Sequence, residues 1–380
     1  MNEQFRSQFP NEKNSVKRIV GVISFMNIGG AQLALFRLAR ELRERGHNVE
    51  VWSLYEKTSS DIITDKIHTF IKKPSLSLFE YLKVYLRLVS RLKQMKPDVV
   101  IGFLPLGNVF GLSAAALTGV PRRVASQRSP GTSYGKVIRI LDRILGASKA
   151  YHSVVCVSEA VRASFSGYPR RYTDKISVIY NGVNWTPSNL DKDSARDYFS
   201  LPRDQPLIVT AGRLENEKNQ IFLIKVLSEI KPAYVAIAGD GKLRAALEKL
   251  AYSSGLSGRI SFLGNLDQVS ISHLLKAADI FVQPSLYEGQ SNAMLEAMHA
   301  GLPIIASDIP AHRETLCDEK GVLAGILVPP DDMQGWVKAV KHILNDSLYA
   351  GKLGKYAMES VQKRFPVKRM IDEFEKILTN

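Results

Sequence analysis

Residues 283–303 read QPSLYEGQSNAMLEAMHAGLP, and the organisation of the chain can be worked out from this stretch. Ile280, Phe281 and Val282, just ahead of it, form the short apolar run of a buried strand. Pro284, Ser285 and Gly289 break that run. Ser291 or Asn292 caps a helix whose apolar positions include Met294, Leu295, Ala297 and Met298. Gly301 and Pro303 stop the helix, and Ile304-Ile305-Ala306 starts another strand.

Two carboxylates stand in this frame, Glu288 in the turn and Glu296 in the helix. Eight residues apart on a continuous helix they would point about 80° from each other. A shared site therefore needs the chain to bend between them, as Gly289 permits. The backbone N–H groups of Ser291, Asn292 and Ala293 lie at the positive end of the helix, a natural phosphate seat. A phosphate seat flanked by carboxylates suits a nucleotide sugar, whose hydroxyls need acceptors and whose diphosphate needs donors. The same spacing also fits a surface glutamate followed by a first-turn glutamate that favours the helix dipole.

The wording of residues 284–308, PSLYEGQSNAMLEAMHAGLPIIASD, resembles the donor-site signature of retaining glycosyltransferase family 4, two glutamates separated by seven residues. The resemblance implies that Glu296 binds ribose hydroxyls and that Glu288 faces the donor sugar. Between the acids the family often reads Phe-Gly-Leu-Pro. This chain reads Gln290-Ser291-Asn292-Ala293, a departure that bears on the identity of the sugar.

Composition agrees with a soluble globular protein of two domains. The 380 residues suffice for two full cores, and 45% hydrophobic with 23% charged residues is ordinary for a globular chain. Cys156 and Cys317 form no disulfide framework, which points to a reducing compartment. Residues 1–14 are polar and lack the apolar core of a signal peptide, so a disordered leader is expected. Charge is uneven: residues 1–190 carry 28 lysines and arginines against 13 acids, and residues 191–380 carry 23 against 24. The formal +14 therefore sits in the first half, which suggests an anionic partner: a membrane surface, a polyprenyl-diphosphate acceptor, or nucleic acid.

In chain order, a strand over 16–24, the loop Met26–Gly30, a helix over 31–45 and a strand over 47–54 make a βαβ unit. Gly29-Gly30 lets a phosphate or sugar approach the backbone, although a plain tight turn reads equally well. Family 4 chains carry a similar Gly-Gly-Ala loop, often followed by Glu where this chain has Gln32. Residues 78–95 form a basic amphipathic helix, either ordinary sheet cover or a membrane-surface element. Residues 99–120 lack formal charge for 22 positions, but Pro105, Asn108 and the glycines favour a buried strand and core helix over a membrane span. The loop 129–136 holds Gly131 and Gly135-Lys136 but fails the P-loop spacing. Arg128, before it, is the candidate on the acceptor side, a placement the resemblance implies. His152 and Cys156 would share one face of a core strand and do not make a catalytic pair.

The string VIYNGV (178–183) is similar to the family's end of a first domain, and the α/β pattern restarts at Leu207. Arg213 and Lys218 follow that strand, five residues apart, where two cations are costly unless they face an anion or bridge to acids. They match the family's diphosphate-binding pair. Gly264 ends the strand that in the family borders the nucleotide base. Residues 307–314 are expected to be a loop, and 325–329 a last strand.

The resemblance implies the GT-B fold: two doubly wound Rossmann-like α/β domains facing a cleft, with ligands at the C-terminal ends of the strands. The expected division is residues 1–184 for the acceptor, 185–365 for the nucleotide sugar, and a tail, 366–380, crossing back to the first domain. The expected activity is metal-independent transfer, with retention, of a sugar from a nucleoside diphosphate (UDP) to a hydroxyl of a polysaccharide or polyprenyl-diphosphate-linked acceptor. No cofactor and no metal ligand set is expected. The expected location is cytoplasmic, peripheral on the inner face of an anionic membrane. A nucleotide-sugar epimerase or phosphorylase on the same fold is the nearest alternative. A basic nucleic-acid-binding protein is a further one, but the chain lacks its stacking platforms and finger spacings, so no nucleic-acid partner is expected.

Overall fold

A computed structural model describes residues 16–26, 29–56 and 67–379. The expected polar leader, and Asn27 and Ile28 of the first loop, lie outside the described residues.

The first sheet is parallel and has the strand order β3-β2-β1-β4-β5-β6-β7. Its strands are β1 (Arg18–Met26), β2 (Asn48–Glu56), β3 (Ile67–Ile71), β4 (Val99–Phe103), β5 (Arg122–Gln127), β6 (Ser153–Cys156) and β7 (Ile176–Val178). The second, also parallel, runs β10-β9-β8-β11-β12-β13. It comprises β8 (Leu207–Ala211), β9 (Tyr234–Ala238), β10 (Ile260–Gly264), β11 (Ile280–Gln283), β12 (Ile304–Ser307) and β13 (Ile326–Val328). Both orders reverse direction beside their first strand, between β1 and β4 and between β8 and β11. Loops on either side of such a reversal diverge and leave a crevice at the strands' C-terminal ends.

Strand residues alternate between two cores, as a sheet covered on both faces requires. In the first domain Val20, Val22, Trp52 and Val100 face the helices Leu78–Met95 and Pro105–Leu117. Ile19, Ile23, Val51 and Ile101 face the helix Gly30–Glu44. The uncharged run 99–120 is thus a buried strand and a core helix, and no helix among the described residues is long and apolar enough to cross a membrane.

Residues 307–314 are not the expected loop. After Ser307 the chain turns into a helix over Pro310–Leu316. Pro310 occupies its first turn, where a fixed φ near −65° and a missing N–H cost nothing, so it starts the helix instead of breaking it.

The last helix, Val367–Thr379, packs Met370, Ile371, Phe374 and Leu378 into the first domain beside Ile19 and Leu35. The chain therefore crosses between domains twice, near Asn181–Gly182 and near Pro366, and the two crossings touch. Tyr180 and Phe365 meet edge-on at 5.5 Å, and a Cβ on Gly182 would come within 2.5 Å of the Val367 Cα.

The domains also meet across the cleft. Ser158 Oγ donates to the Gly289 carbonyl (2.8 Å), and the Glu314 carboxylate accepts from the N–H groups of Glu159 (2.6 Å) and Ala160 (2.9 Å). A Cβ on Gly289 would lie 2.1 Å from the Arg128 carbonyl oxygen. Only glycine lets these two backbones approach so closely. Gly289→Ala is expected to wedge the domains apart, with far-UV circular dichroism unchanged, a larger radius of gyration by small-angle scattering, and turnover lower by roughly 10²-fold from misalignment across the cleft. An alanine variant with normal activity and dimensions would remove this contact from the account.

Candidate active site

Between the domains lies a cleft of about 570 Å³. One wall comes from the first domain: Gly29 and Gly30 after β1, Arg37 and Arg40 on the following helix, Leu104 after β4, and Arg128 after β5. The other comes from the second: Gly212, Arg213 and Lys218 after β8, Gly239 after β9, and Glu288–Ala293 with Glu296 after β11. The segments after β1, β4, β8 and β11 flank the two reversals of strand order, and those after β5 and β9 lie one strand further out.

Gly212 shapes the second wall by adopting φ +152°, and a Cβ on Gly239 would strike the Gly212 carbonyl oxygen at 2.1 Å. The tight stacking of these two turns exposes the loop that carries the cations. Arg213 donates to Glu217 at 2.8 Å, and Lys218 forms an ion pair with Glu288. Each sequence-predicted cation therefore has an acid beside it. The Arg213 side chain keeps 40% of its exposure, against 14% for Lys218, so Arg213 is the freer of the two to meet a ligand.

Glu288 also accepts from Ser285 Oγ at 2.8 Å and Gln283 Nε2 at 3.3 Å. Burial pushes its carboxyl upward, but Lys218, the nearby His312 and the Ser285 hydroxyl outweigh burial and hold it below the usual carboxylate range. An acid held ionised in this way is a poor proton acceptor and a good fixed negative charge.

Glu296 has the opposite setting. Burial raises its carboxyl to about 7, Arg37 pulls the other way, and among the described residues no hydrogen-bond donor reaches its oxygens. An unpartnered acceptor in a cleft wall suits a hydroxyl-bearing ligand. Between the two acids Ser291 caps the helix Asn292–His299 through its Oγ, which accepts from the Met294 N–H at 3.3 Å. The N–H groups of Asn292 and Ala293 have no partner within the helix and lie at its positive end.

Asn181 organises the junction of the walls. Its N–H donates to Gln290 Oε1 (2.6 Å), its Nδ2 donates to Asn292 Oδ1 (3.0 Å), and its Oδ1 accepts from Arg128. Asn292 Nδ2 in turn donates to the Gly30 carbonyl at 3.3 Å. Arg128 is buried over the Phe103 ring (5.5 Å), and its guanidinium is pushed down to about 9 by burial and by Arg37.

The structure thus brings Gly29, Gly30, Arg128, Arg213, Lys218, Glu288, Ser291, Asn292, Ala293 and Glu296 to one cleft. Gly264 stands apart: its carbonyl accepts from the Gly239 N–H (2.6 Å), and the following residues, Asn265–Gln268, line the cleft in its place. Sequence reasoning missed Arg37, Arg40, Asn181 and Glu217. Gly30, Leu33, Arg37 and Arg40 follow helical spacing behind the Gly-Gly turn, a signal that could have flagged the two arginines. Asn181 carries none. Among the described residues no group of three or more His, Cys, Asp or Glu side chains is placed to share a metal ion. Cys156 is buried, and burial raises its thiol strongly, away from reactive range.

Comparison with known proteins matches this anatomy half by half. The profile described as Glycosyltransferase Family 4 matches residues 28–185, and that described as Glycosyl transferases group 1 matches residues 191–360, so that together they take in most of the chain. The chain belongs to this glycosyltransferase family. It is 27% identical over 340 residues to the UDP-Gal:α-D-GlcNAc-diphosphoundecaprenol α-1,3-galactosyltransferase of Escherichia coli, covering 84% of this chain and 85% of that one. It is 30% identical over 220 residues, 56% of each chain, to an uncharacterized glycosyltransferase of Methanocaldococcus jannaschii. The crystal structure of Anabaena HepE in complex with UDP and glucose superposes with a TM-score of 0.82 at 20% identity, covering 96% of this chain and 100% of that one, and shares the GT-B fold.

In the transferase, ionised Glu296 is the better acceptor for a ligand hydroxyl. Since burial raises its carboxyl to about 7, binding of a nucleoside diphosphate at neutral pH is expected to release a proton. Affinity should then tighten as pH rises from about 6 to about 8. Calorimetry in buffers of different ionisation enthalpy measures this directly. Proton release should fall in Glu296→Gln to what the terminal phosphate of the ligand contributes by itself, and release of unchanged size in that variant would assign it to another group.

Proposed function

We propose that the enzyme transfers a sugar, with retention of configuration, from a nucleoside-diphosphate donor, UDP-linked, to a hydroxyl of a lipid-linked or polysaccharide acceptor. One observation carries this reading: an open helix N-terminus and two cations stand between a carboxylate held ionised and a carboxylate left unpartnered. Diphosphate, sugar and ribose need those groups in that order. The donor and acceptor printed in the name of the Escherichia coli relative support the substrate class.

In this mechanism Arg213, Lys218 and the amides of Asn292 and Ala293 face the diphosphate, and Glu296 accepts from ribose hydroxyls. As the bond between the anomeric carbon and the phosphate oxygen breaks, negative charge grows on the diphosphate beside these donors, where it is stabilised most. Glu288 orients the donor sugar and supports positive charge at the anomeric carbon without forming a covalent link. The acceptor oxygen forms the new bond on the same face. Its proton passes to the departing diphosphate, because Glu288, paired with Lys218, is too weak a base. Arg128 stands on the acceptor side. The fixed cations supply the charge that a metal ion provides elsewhere, and no further cofactor enters. The basic first half favours work at an anionic membrane surface, on its cytoplasmic face, and no nucleic-acid partner enters this reading.

Incubation with a panel of nucleotide sugars and lipid-linked acceptors, followed by NMR of the first-formed product, tests the reaction. The product should keep the donor's anomeric configuration, and inversion would overturn the mechanism. Arg213→Ala or Lys218→Ala should lower turnover by about 10²–10³, with the wild type indifferent to EDTA. Activity abolished by EDTA and restored by Mg²⁺ or Mn²⁺ would overturn the metal-free assignment. Glu296→Ala should weaken nucleotide binding by about 1.5–3 kcal/mol, roughly 10- to 150-fold. Unchanged affinity would remove Glu296 from the site.

A further inference from the structure

The helix Leu78–Met95 fills the core with Val84, Leu88 and Leu92, as sheet-covering helices do. A second apolar set on the same helix, Leu78, Phe79, Leu82 and Leu86, lies in the open, with Phe79 75% exposed. The helix Lys136–Ala147 is stranger. Its buried positions are Asp142 and Gly146, while Val137, Ile140, Leu141 and Ile144 are exposed. Asp142 is satisfied inside by Gln127, Tyr151 and Tyr172, and a Cβ on Gly146 would run into the Tyr172 ring at 2.1 Å. Leu145 is the one large aliphatic side chain of this helix packed on the core; the rest of the inward face is given to small and polar groups, and Val137, Ile140, Leu141 and Ile144 are left facing water.

The two helices flank the helix Pro105–Leu117, which packs against both. Exposed apolar side chains gathered this way on one domain mark a contact surface. The charges beside them say what covers it. Lys83, Arg87, Lys136, Arg139 and Arg143 border the apolar stripes, whereas the acids of these helices are Glu80, which is paired with Lys73, and buried Asp142. On the basic flank of the first helix an open recess of about 310 Å³ is lined by His68, Arg87, Ser90 and Arg91. Arg91 Nε is buried there without a partner among the described residues, and Glu50, 3.6 Å from the Arg91 guanidinium, offsets part of its charge. Apolar stripes edged by cations match the layering of an anionic bilayer: acyl chains below, phosphates above.

We infer that the helices Leu78–Met95 and Lys136–Ala147 form a bilayer-docking face, inserting Leu82, Leu86, Ile140 and Ile144 into the lipid interface while Arg87, Arg91 and Arg143 hold head-group phosphates. The inference rests on the membrane reading above and adds the face and the mode, shallow apolar insertion in addition to charge attraction. It also gives an acceptor a short path. The second docking helix begins at Lys136, three residues after Ser133 of the cleft wall, so a lipid-linked sugar would emerge beside the active site.

Sedimentation with vesicles tests it, using neutral phosphatidylcholine and vesicles carrying anionic phosphatidylglycerol, at low and high salt. The wild type should bind the anionic vesicles and keep part of that binding in high salt. Replacing Leu82, Leu86, Ile140 and Ile144 together by serine should weaken binding by about tenfold or more and abolish the salt-resistant part, since each loses buried apolar area. The positions are exposed, so folding and turnover on a detergent-free, short-chain acceptor should be unchanged. If the variant binds anionic vesicles as the wild type does, the assigned face is wrong although the membrane reading survives. If the wild type ignores anionic vesicles even at low salt, the membrane reading itself fails. A wild-type dimer in analytical ultracentrifugation that the four serines dissolve would reassign the face to contact between copies of this chain.

Discussion

The contact of the Gly289 backbone with the Arg128 carbonyl is the constraint on which the rest of this enzyme depends. It joins the turn after β11 to the end of β5 with no room for a side chain, and so sets the width of the cleft. Around it lie the polar bonds that carry the same registration: Ser158 to Gly289, Asn181 to Gln290 and Asn292, and Glu314 to the amides at Glu159 and Ala160. The two chain crossings add a packed hinge at Tyr180, Gly182 and Phe365. Each domain buries its own core, but the cleft is lined from both, and only this registration brings Arg37 and Arg128 to face Arg213 and Glu296.

Within the cleft two glutamates on one short stretch of chain are tuned in opposite directions. Lys218 and hydroxyl and amide donors keep Glu288 charged, and burial without a donor leaves Glu296 close to neutral pH. The difference follows from neighbours, not from residue type. It leaves one acid as a fixed negative charge in the cleft wall and the other as an acceptor with no donor among the described residues. Each cation is paired with an acid, so an anion meeting Arg213 would have to compete with Glu217.

Much of this was legible in the chain. Strands such as Leu207–Ala211 and Ile280–Gln283 are buried on both faces and read as plain apolar runs bounded by glycine or proline. The spacing from Glu288 to Glu296, with Gly289 between, gave the bend and the donor wall. The helix Pro310–Leu316 was misread because proline both stops and starts helices, and only its position in the turn tells which. The helix Lys136–Ala147 gave no clear signal because its apolar face points outward, reversing the usual pattern. Gly264 ends its strand just short of the cleft-lining residues Asn265–Gln268; a strand end and the turn after it read alike in sequence. Asn181 and the acid partners of Arg213 and Lys218 depend on contacts that spacing alone does not reveal.

The central claim is that the second-domain wall holds the nucleoside diphosphate between Arg213 and Glu296. Hydrogen–deuterium exchange with and without saturating UDP reads that placement residue by residue. The account predicts slowed exchange in the segments 212–219 and 288–297, with a smaller effect at 29–37 across the cleft. Protection confined to the recess at His68 and Arg91, or none in the second domain, would contradict it.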